Sequence, residues 1–206
     1  EAVGRIAKFA EEYGATLIHF STDYVFDGEK VDGYSEDDEP RPINVYGESK
    51  LAGERLIAEN LEKFYIVRTS WLFGTNGKNF VDTMLKLGSE VIKNVRELKV
   101  VNDQVGSPTY TEDLCAAVIE NFVAFLDGGG DNQPFGIYHL TNSGTCIWFD
   151  FAKEIFEIKK MAVKVTPVGS AELPRPAKRP ECSVLKNNKA AQLRSGQEGL
   201  GAYLLA

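Results

Sequence analysis

Cysteine, histidine, methionine and tryptophan are scarce in this chain, with three, two, two and two copies among 206 residues. Cys115, Cys146 and Cys182 lie far apart and are odd in number, which matches neither a disulfide framework nor metal-ligand spacing. They are expected to act as small buried hydrophobes. His19 and His139 each sit inside an apolar run and are expected to be satisfied core histidines rather than ligands. No metal is expected, and no residue argues for Mg2+. Positive charge is in deficit as well: 23 Lys plus Arg against 30 Asp plus Glu leave a formal charge of −7. That balance repels phosphate backbones, so nucleic acid is not an expected partner. The most basic stretch, residues 175–179, is short and proline-interrupted and reads as a solvated loop. No apolar run approaches the roughly 18 residues of a membrane span, and no charged-then-apolar signal opens the chain. A cytoplasmic protein without membrane contact is expected.

The composition, 43% hydrophobic and 26% charged, is that of a folded globular protein. The length suits one domain plus a smaller lobe. Val3, Ile6, Ala7, Ala10 and Tyr13 form an amphipathic stripe closed by Gly14. The chain thus opens inside a helix, and with Glu at position 1 and no capping residue before it, a segment upstream is expected.

Residues 15–20 read as a buried parallel strand ending at Ser21-Thr22-Asp23. Residues 24–43 are polar and turn-rich, a surface excursion of a length that is uncommon unless functional. A helix is expected from near Asn44 to about Asn60, then a strand over 65–68 ending at Thr69-Ser70-Trp71. Strand, helix, strand is a crossover unit; it implies a parallel sheet with ligands beyond the C-terminal strand ends, where Thr22 and Trp71 would lie.

Phe80, Met84, Leu87 and Val91 mark the core face of a further helix. The Gly74 to Asn79 loop before it is not a P-loop, because its spacing is too short and Asn79 replaces the required hydroxyl. Residues 98–101 read as a strand, and Thr109-Tyr110-Thr111-Glu112 fits a capping box for a helix carrying Leu114, Val118, Phe122 and Phe125. A turn-rich stretch over 127–134 follows. Beyond it a strand over 136–140, a helix over 148–156 and a strand over 163–165 alternate once more.

Tyr46-Gly47-Glu48-Ser49-Lys50 places a phenol and an ammonium four residues apart, on one helical face. A nearby ammonium favours the phenolate and pulls a tyrosine pKa down from about 10, giving a group that can donate and accept a proton. Such pairs are common on ordinary helices. This one gains weight from Thr22 at the end of the preceding strand, which could hydrogen-bond the same reacting oxygen. Trp71, just past the second strand, is either a core aromatic or a surface for a sugar ring.

Several segments together resemble the dTDP-4-dehydrorhamnose reductases, members of the extended short-chain dehydrogenase/reductases. They are Phe20-Ser21-Thr22-Asp23-Tyr24-Val25-Phe26-Asp27-Gly28 and Tyr46-Gly47-Glu48-Ser49-Lys50-Leu51-Ala52-Gly53-Glu54. Further matches are Arg68-Thr69-Ser70-Trp71, residues 102–109 and Arg175-Pro176-Ala177-Lys178-Arg179-Pro180, so the resemblance covers nearly the whole chain. It implies an α/β fold: a partial Rossmann-like parallel sheet with helices on both faces, plus a small C-terminal α/β substrate lobe. Residues 1–126 would be the C-terminal part of the dinucleotide-binding domain and 127–206 mostly the substrate lobe, the two interleaved.

The resemblance also implies hydride transfer from NADPH or NADH to the 4-keto group of dTDP-4-dehydro-L-rhamnose, yielding dTDP-L-rhamnose for surface polysaccharide. Thr22, Tyr46 and Lys50 would be catalytic, and Ser21, Tyr46 and Lys50 would meet the cofactor. Thr22, Asp23, Trp71, Asn102 and Gln104 would bind the dTDP-sugar. Sugar-nucleotide dehydratases carry Glu where Tyr24 stands here; epimerases share the Tyr and Lys pair but fit residues 23–28 and 102–109 less well. A binding module related to the regulatory subunit of methionine adenosyltransferase is an alternative of another class, in which Ser would be expected at Thr22. The family's Gly-x-x-Gly-x-x-Gly turn, which admits a cofactor pyrophosphate, does not occur in these 206 residues. The isolated chain is therefore expected to be inactive, with an exposed sheet edge that favours self-association, including a homodimer. After Leu193 the family's helix-rich ending is expected to be shortened.

Overall fold

The segment Phe-Tyr-Ile-Val-Arg-Thr at 64–69 sends alternate side chains to opposite faces. Both faces are covered in the computed structural model of the chain, which describes residues 1–94, 97–124 and 133–205. Helix α1 (Ala2–Glu12) leads into strand β1 (Leu17–Thr22), and a single 3-10 turn, Asp23–Val25, follows at once. Helix α2 (Val45–Asn60) starts where Asn44 accepts a hydrogen bond from the Gly47 amide at 2.8 Å, satisfying one of the donors a helix start leaves open. Strand β2 (Phe64–Thr69) lies parallel to β1, with Ser21 opposite Arg68 and Thr22 opposite Thr69. The order and parallel pairing of the crossover unit are as expected from sequence, and its helix begins one residue past the capping Asn44, but β1 is an edge strand rather than a buried one, with Leu17, Ile18 and His19 half-buried and Phe20 exposed.

After β3 (Leu72–Phe73), Asn79 caps α3 (Phe80–Asn94) by accepting from the Asp82 amide at 2.9 Å. The loop that fails as a P-loop is thus a helix start. Then come β4 (Leu98–Val101), β5 (Val105–Gly106), β6 (Thr109–Tyr110) and α4 (Thr111–Val118), whose last turn widens into a π turn over Ile119–Val123. The remaining elements are β7 (Gly136–His139), β8 (Cys146–Ile147), α5 (Trp148–Ile158), β9 (Val165–Val168) and α6 (Gly196–Leu205). Phe125 and the expected boundary at residue 126 lie outside the described residues.

Strands β1, β2 and β7 form one parallel sheet in that order, while β3 pairs with β6 and β4 with β9, also in parallel. Tyr65 and Val67 point to the face that packs on Leu114, Ala117, Val118 and Phe122. Ile66 points the other way, onto Ala7, Ile57 and Leu61 of the α1 and α2 layer. A strand buried on both faces reads as a continuous apolar run, as residues 64–67 of β2 do before the buried Arg68 and Thr69. A separate apolar core joins α3, α5 and α6 through Val81, Met84, Phe151, Ile155 and Leu200. Both layers draw on elements from either side of residue 126. Among the described residues, no helix is long and apolar enough to cross a membrane.

Several expectations need correction. Ile6 and Tyr13 are 53% and 77% exposed, because α1 packs on α2 through Gly4 and Ala7. Thr109 and Tyr110 are held in a strand pair with Leu72 and Phe73, so α4 starts one residue later than a Thr109 cap would place it, with no side-chain cap. The strand expected over 163–165 is displaced to Val165–Val168, where all four residues pair with β4. Cys115 is exposed on the outer side of α4 and Cys146 is half-buried. Residues 196–205, which carry no clear helical pattern, form α6. Its start is a capping box in which Ser195 Oγ accepts from the Glu198 amide at 3.2 Å and donates to the Glu198 carboxylate at 2.7 Å.

Candidate active site

The expected Tyr46 and Lys50 pair comes to the end of β1 because of the residue after the tyrosine. Gly47 rests directly on the carbonyl of Tyr24: a Cβ at this position would lie 2.0 Å from that oxygen. The helix therefore seats its first turn on the 3-10 turn that follows Thr22. The Tyr46 ring meets the Tyr24 ring edge-on at 5.8 Å, and Tyr46 remains 54% exposed. One turn along, Lys50 Nζ donates to the carbonyl of Phe20 at 2.6 Å. Partial burial pulls the Lys50 pKa below its ordinary value, and the Glu54 carboxylate pulls it back up. Gly47→Ala is expected to lift α2 off Tyr24 and to cost about 1–3 kcal/mol, as overpacking does; urea unfolding measures it, and an unchanged midpoint would contradict this packing.

Thr22 and Asp23 are nearly fully buried. The Thr22 hydroxyl donates to Asp23 Oδ1 at 2.8 Å and accepts from the Tyr24 amide at 3.2 Å. Asp23 Oδ2 has no hydrogen-bond partner. Burial pushes the Asp23 pKa up to about 6, against the opposing pull of the Ser183 and Thr22 hydroxyls. Strongly shifted buried carboxyls of this kind concentrate at functional sites. Ser21, expected to face a cofactor, instead points inward: its hydroxyl hydrogen-bonds the buried carboxylate of Glu54, because its strand position shares a face with Arg68 beneath α2.

Beside this cluster lies a cleft of about 790 Å³. Trp71 and Gln104 line it; Asn102 is exposed and does not, and neither do Thr22, Asp23, Tyr46 or Lys50. Trp71 adopts φ 47°, a left-handed conformation that is costly for a bulky residue. Its indole stacks face to face on Trp148 at 3.4 Å and 6°, and Gly106 leaves room for it, since a Cβ there would lie 2.3 Å from the indole. The lining also includes Arg175, Lys178 and Arg179. Asn44, the cap of α2, donates to the Lys178 carbonyl at 2.9 Å and so ties this part of the lining to the helix of Tyr46.

Sequence reasoning took residues 175–179 for a solvated loop and gave Trp148 no role in the site. Three cations within five residues and a tryptophan at a helix start were the available signals. The two histidines stay outside the cleft, but neither is fully satisfied, since each leaves Nε2 without a partner. Burial and the Arg68 charge push His139 down to about 3, so it is neutral. Among the described residues, no group of three or more His, Cys, Asp or Glu side chains could hold a metal ion.

Residues 1–199 match the family described as the RmlD substrate binding domain. The chain is 42% identical over 195 residues to the spore coat polysaccharide biosynthesis protein SpsK of Bacillus subtilis, covering 93% of this chain and 64% of that protein. It is 42% identical over 199 residues to the dTDP-4-dehydrorhamnose reductase of Escherichia coli, again covering 93% of this chain and 64% of the relative. Among solved structures, the dTDP-4-dehydrorhamnose reductase of Bacillus anthracis in complex with NADP superposes with a TM-score of 0.88 at 42% identity, covering 98% of this chain and 70% of that one. The chain thus spans just under two thirds of the length of the first two relatives.

Proposed function

The chain belongs to the RmlD substrate-binding-domain family, that of the dTDP-4-dehydrorhamnose reductases, and from that premise we propose that it provides the proton donor and the sugar-nucleotide cleft of an NAD(P)H-dependent reductase. The substrate on this reading is dTDP-4-dehydro-L-rhamnose and the product dTDP-L-rhamnose. The observation that carries it is the seating of Tyr46 and Lys50 on the strand end that bears Thr22 and Asp23, beside a cleft walled by an aromatic stack and three cations.

Tyr46, with its side chain partly in solvent, gives its phenolic proton to the carbonyl oxygen as that oxygen gains charge. Lys50 spends one N–H on the Phe20 carbonyl and keeps two for ribose hydroxyls, so it fits the nicotinamide end of the cofactor. Ser21 does not fit that role, its hydroxyl being engaged by Glu54. A nicotinamide cofactor supplies the hydride when bound. Thr22 holds the reacting oxygen once its hydroxyl turns away from Asp23, and Asp23 meets the sugar. Arg175, Lys178 and Arg179 face the diphosphate, a charge-assisted contact that guanidinium groups make well. Trp71 and Trp148 offer an apolar wall to the flat or hydrophobic parts of the ligand. A cleft of about 790 Å³ is within the usual range for a ligand of this size. The core shared by α3, α5 and α6 is, on this reading, the substrate lobe.

Both tryptophans of the chain, Trp71 and Trp148, line the cleft, so their fluorescence reports on its occupant. Titration with dTDP is expected to quench it saturably. Oxidation of NADPH by dTDP-4-dehydro-L-rhamnose is then followed with the chain alone and with the chain joined to a Gly-rich dinucleotide-binding segment of a relative. No quenching together with no turnover in either form overturns the proposal.

A further inference from the structure

Beneath the exposed Tyr46 and Lys50, the same helix carries a charged residue that is 2% exposed, Glu54. It lies four residues beyond Lys50, about 6 Å along the axis and on the same face. Its partner is Arg68 of β2, 1% exposed, which donates through Nε at 3.0 Å and through Nη2 at 2.6 Å in a two-pronged contact. The Ser21 hydroxyl of β1 hydrogen-bonds the same carboxylate. Ser21 and Arg68 stand opposite each other in the sheet register, so one carboxylate ties α2 to two strands at adjacent positions. Thr22 is the next residue on β1, and the Lys50 contact to the Phe20 carbonyl lies one turn away on α2.

A buried ion pair is a poor source of stability. Withdrawing both charges from water costs about as much as their attraction returns, and well-packed apolar residues often replace such pairs without loss. Arg68 moreover leaves Nη1 without a partner. What the pair supplies that an apolar contact does not is direction: a planar guanidinium on a planar carboxylate fixes both orientation and register. An apolar contact at this place would leave α2 free to slide or rotate by a fraction of a turn, and an error of about 1 Å at a reacting group can cost a hundredfold in rate.

We propose that Glu54, held between Ser21 and Arg68, is the positioning residue that sets the helix of Tyr46 and Lys50 against the strand end of Thr22 and Asp23. This rests on the reductase reading above. Neither residue touches substrate; they act through the helix and strand they join. Glu54 also acts on Lys50 through its charge, which opposes the effect of burial on that ammonium.

The test replaces both charges together, Glu54→Leu with Arg68→Met, so that no lone charge is left buried. The expected outcome in the form that turns over is cooperative unfolding at or near the wild-type midpoint, unchanged dTDP quenching, and kcat lowered about ten- to a hundredfold with KM little altered. Wild-type kcat in a folded double variant overturns the proposal. If the double variant fails to fold, Ser21→Ala decides, because it leaves the ion pair intact: a several-fold lower kcat at constant KM supports positioning, whereas unchanged kcat, or a raised KM for NADPH, overturns it. Absence of turnover in the wild type would overturn the reductase reading instead. In that case the NMR signal of the Lys50 side-chain amine carries the decision: a shift in Ser21→Ala supports the tie, and an unmoved signal overturns it.

Discussion

Tyr46→Phe is expected to lower kcat by about two to four orders of magnitude, the usual contribution of a positioned general acid, while leaving the protein as stable as before. Only the phenolic oxygen is lost. The ring keeps its edge-on contact with Tyr24 at 5.8 Å, and at 54% exposure the side chain has little packing to lose. The dTDP quenching curve should be unaltered, because Tyr46 does not line the cleft of Trp71 and Trp148. Steady-state NADPH oxidation with wild type and variant measures the effect. A variant that retains kcat within about threefold removes Tyr46 from the role of proton donor.

Asp23→Asn should do the opposite: raise stability at neutral pH while lowering activity. Asp23 titrates near 3.8 when exposed and at about 6 in the fold, burial being the main cause. Between those values the folded chain holds a proton that the unfolded chain has released, so stability falls as pH rises from about 4 to about 6. Above pH 6 the full cost of the buried carboxylate is present, of the order of 3 kcal/mol. Asn at this position can still accept from Thr22 and carries no charge. Urea unfolding is expected to show the variant ahead by up to about 3 kcal/mol at pH 8 and level with wild type near pH 4. An equal difference at both pH values would sink the assignment of the effect to ionisation. A buried group that destabilises the fold is the ordinary signature of function retained at the expense of stability.

Elements whose patterns are local were legible in the sequence. Residues 64–69 form a strand because all but Arg68 are β-branched or aromatic and 64–67 are apolar on both faces, and α2 begins beside Asn44 because that side chain is a good cap. The final helix was hidden by its glycines at 196, 199 and 201, which lower helix propensity. Gly196 and Gly199 are there for packing: an added Cβ would lie 3.0 Å from the Pro108 carbonyl and 3.2 Å from Tyr110 and Asp113 respectively. The capping box Ser195 to Glu198 was the available signal. The opposite error arose at Thr109, where a genuine Thr-x-x-Glu pattern yields to strand pairing with Leu72.

In the proposed site, spacing and resemblance single out Tyr46, Lys50 and Thr22, which the fold brings to one strand end. The inward turn of Ser21 could not, because it depends on the register that sets Ser21 against Arg68. The same holds for residues 175–179, which carry no periodicity and join the cleft through contacts such as that between Asn44 and Lys178.

The stacked indoles bear on how this chain can change over generations. Trp71 holds its left-handed backbone, Gly106 lacks the atom that would strike the indole at 2.3 Å, and Trp148 supplies the facing ring. Any side chain gained at 106 strikes the indole, whereas loss of the indole at 71 removes that obstacle to a Cβ at 106. Positions in contact do not vary independently. Drift at these three sites therefore runs as a ratchet: easy to release from position 71, and hard to rebuild once position 106 has acquired a side chain.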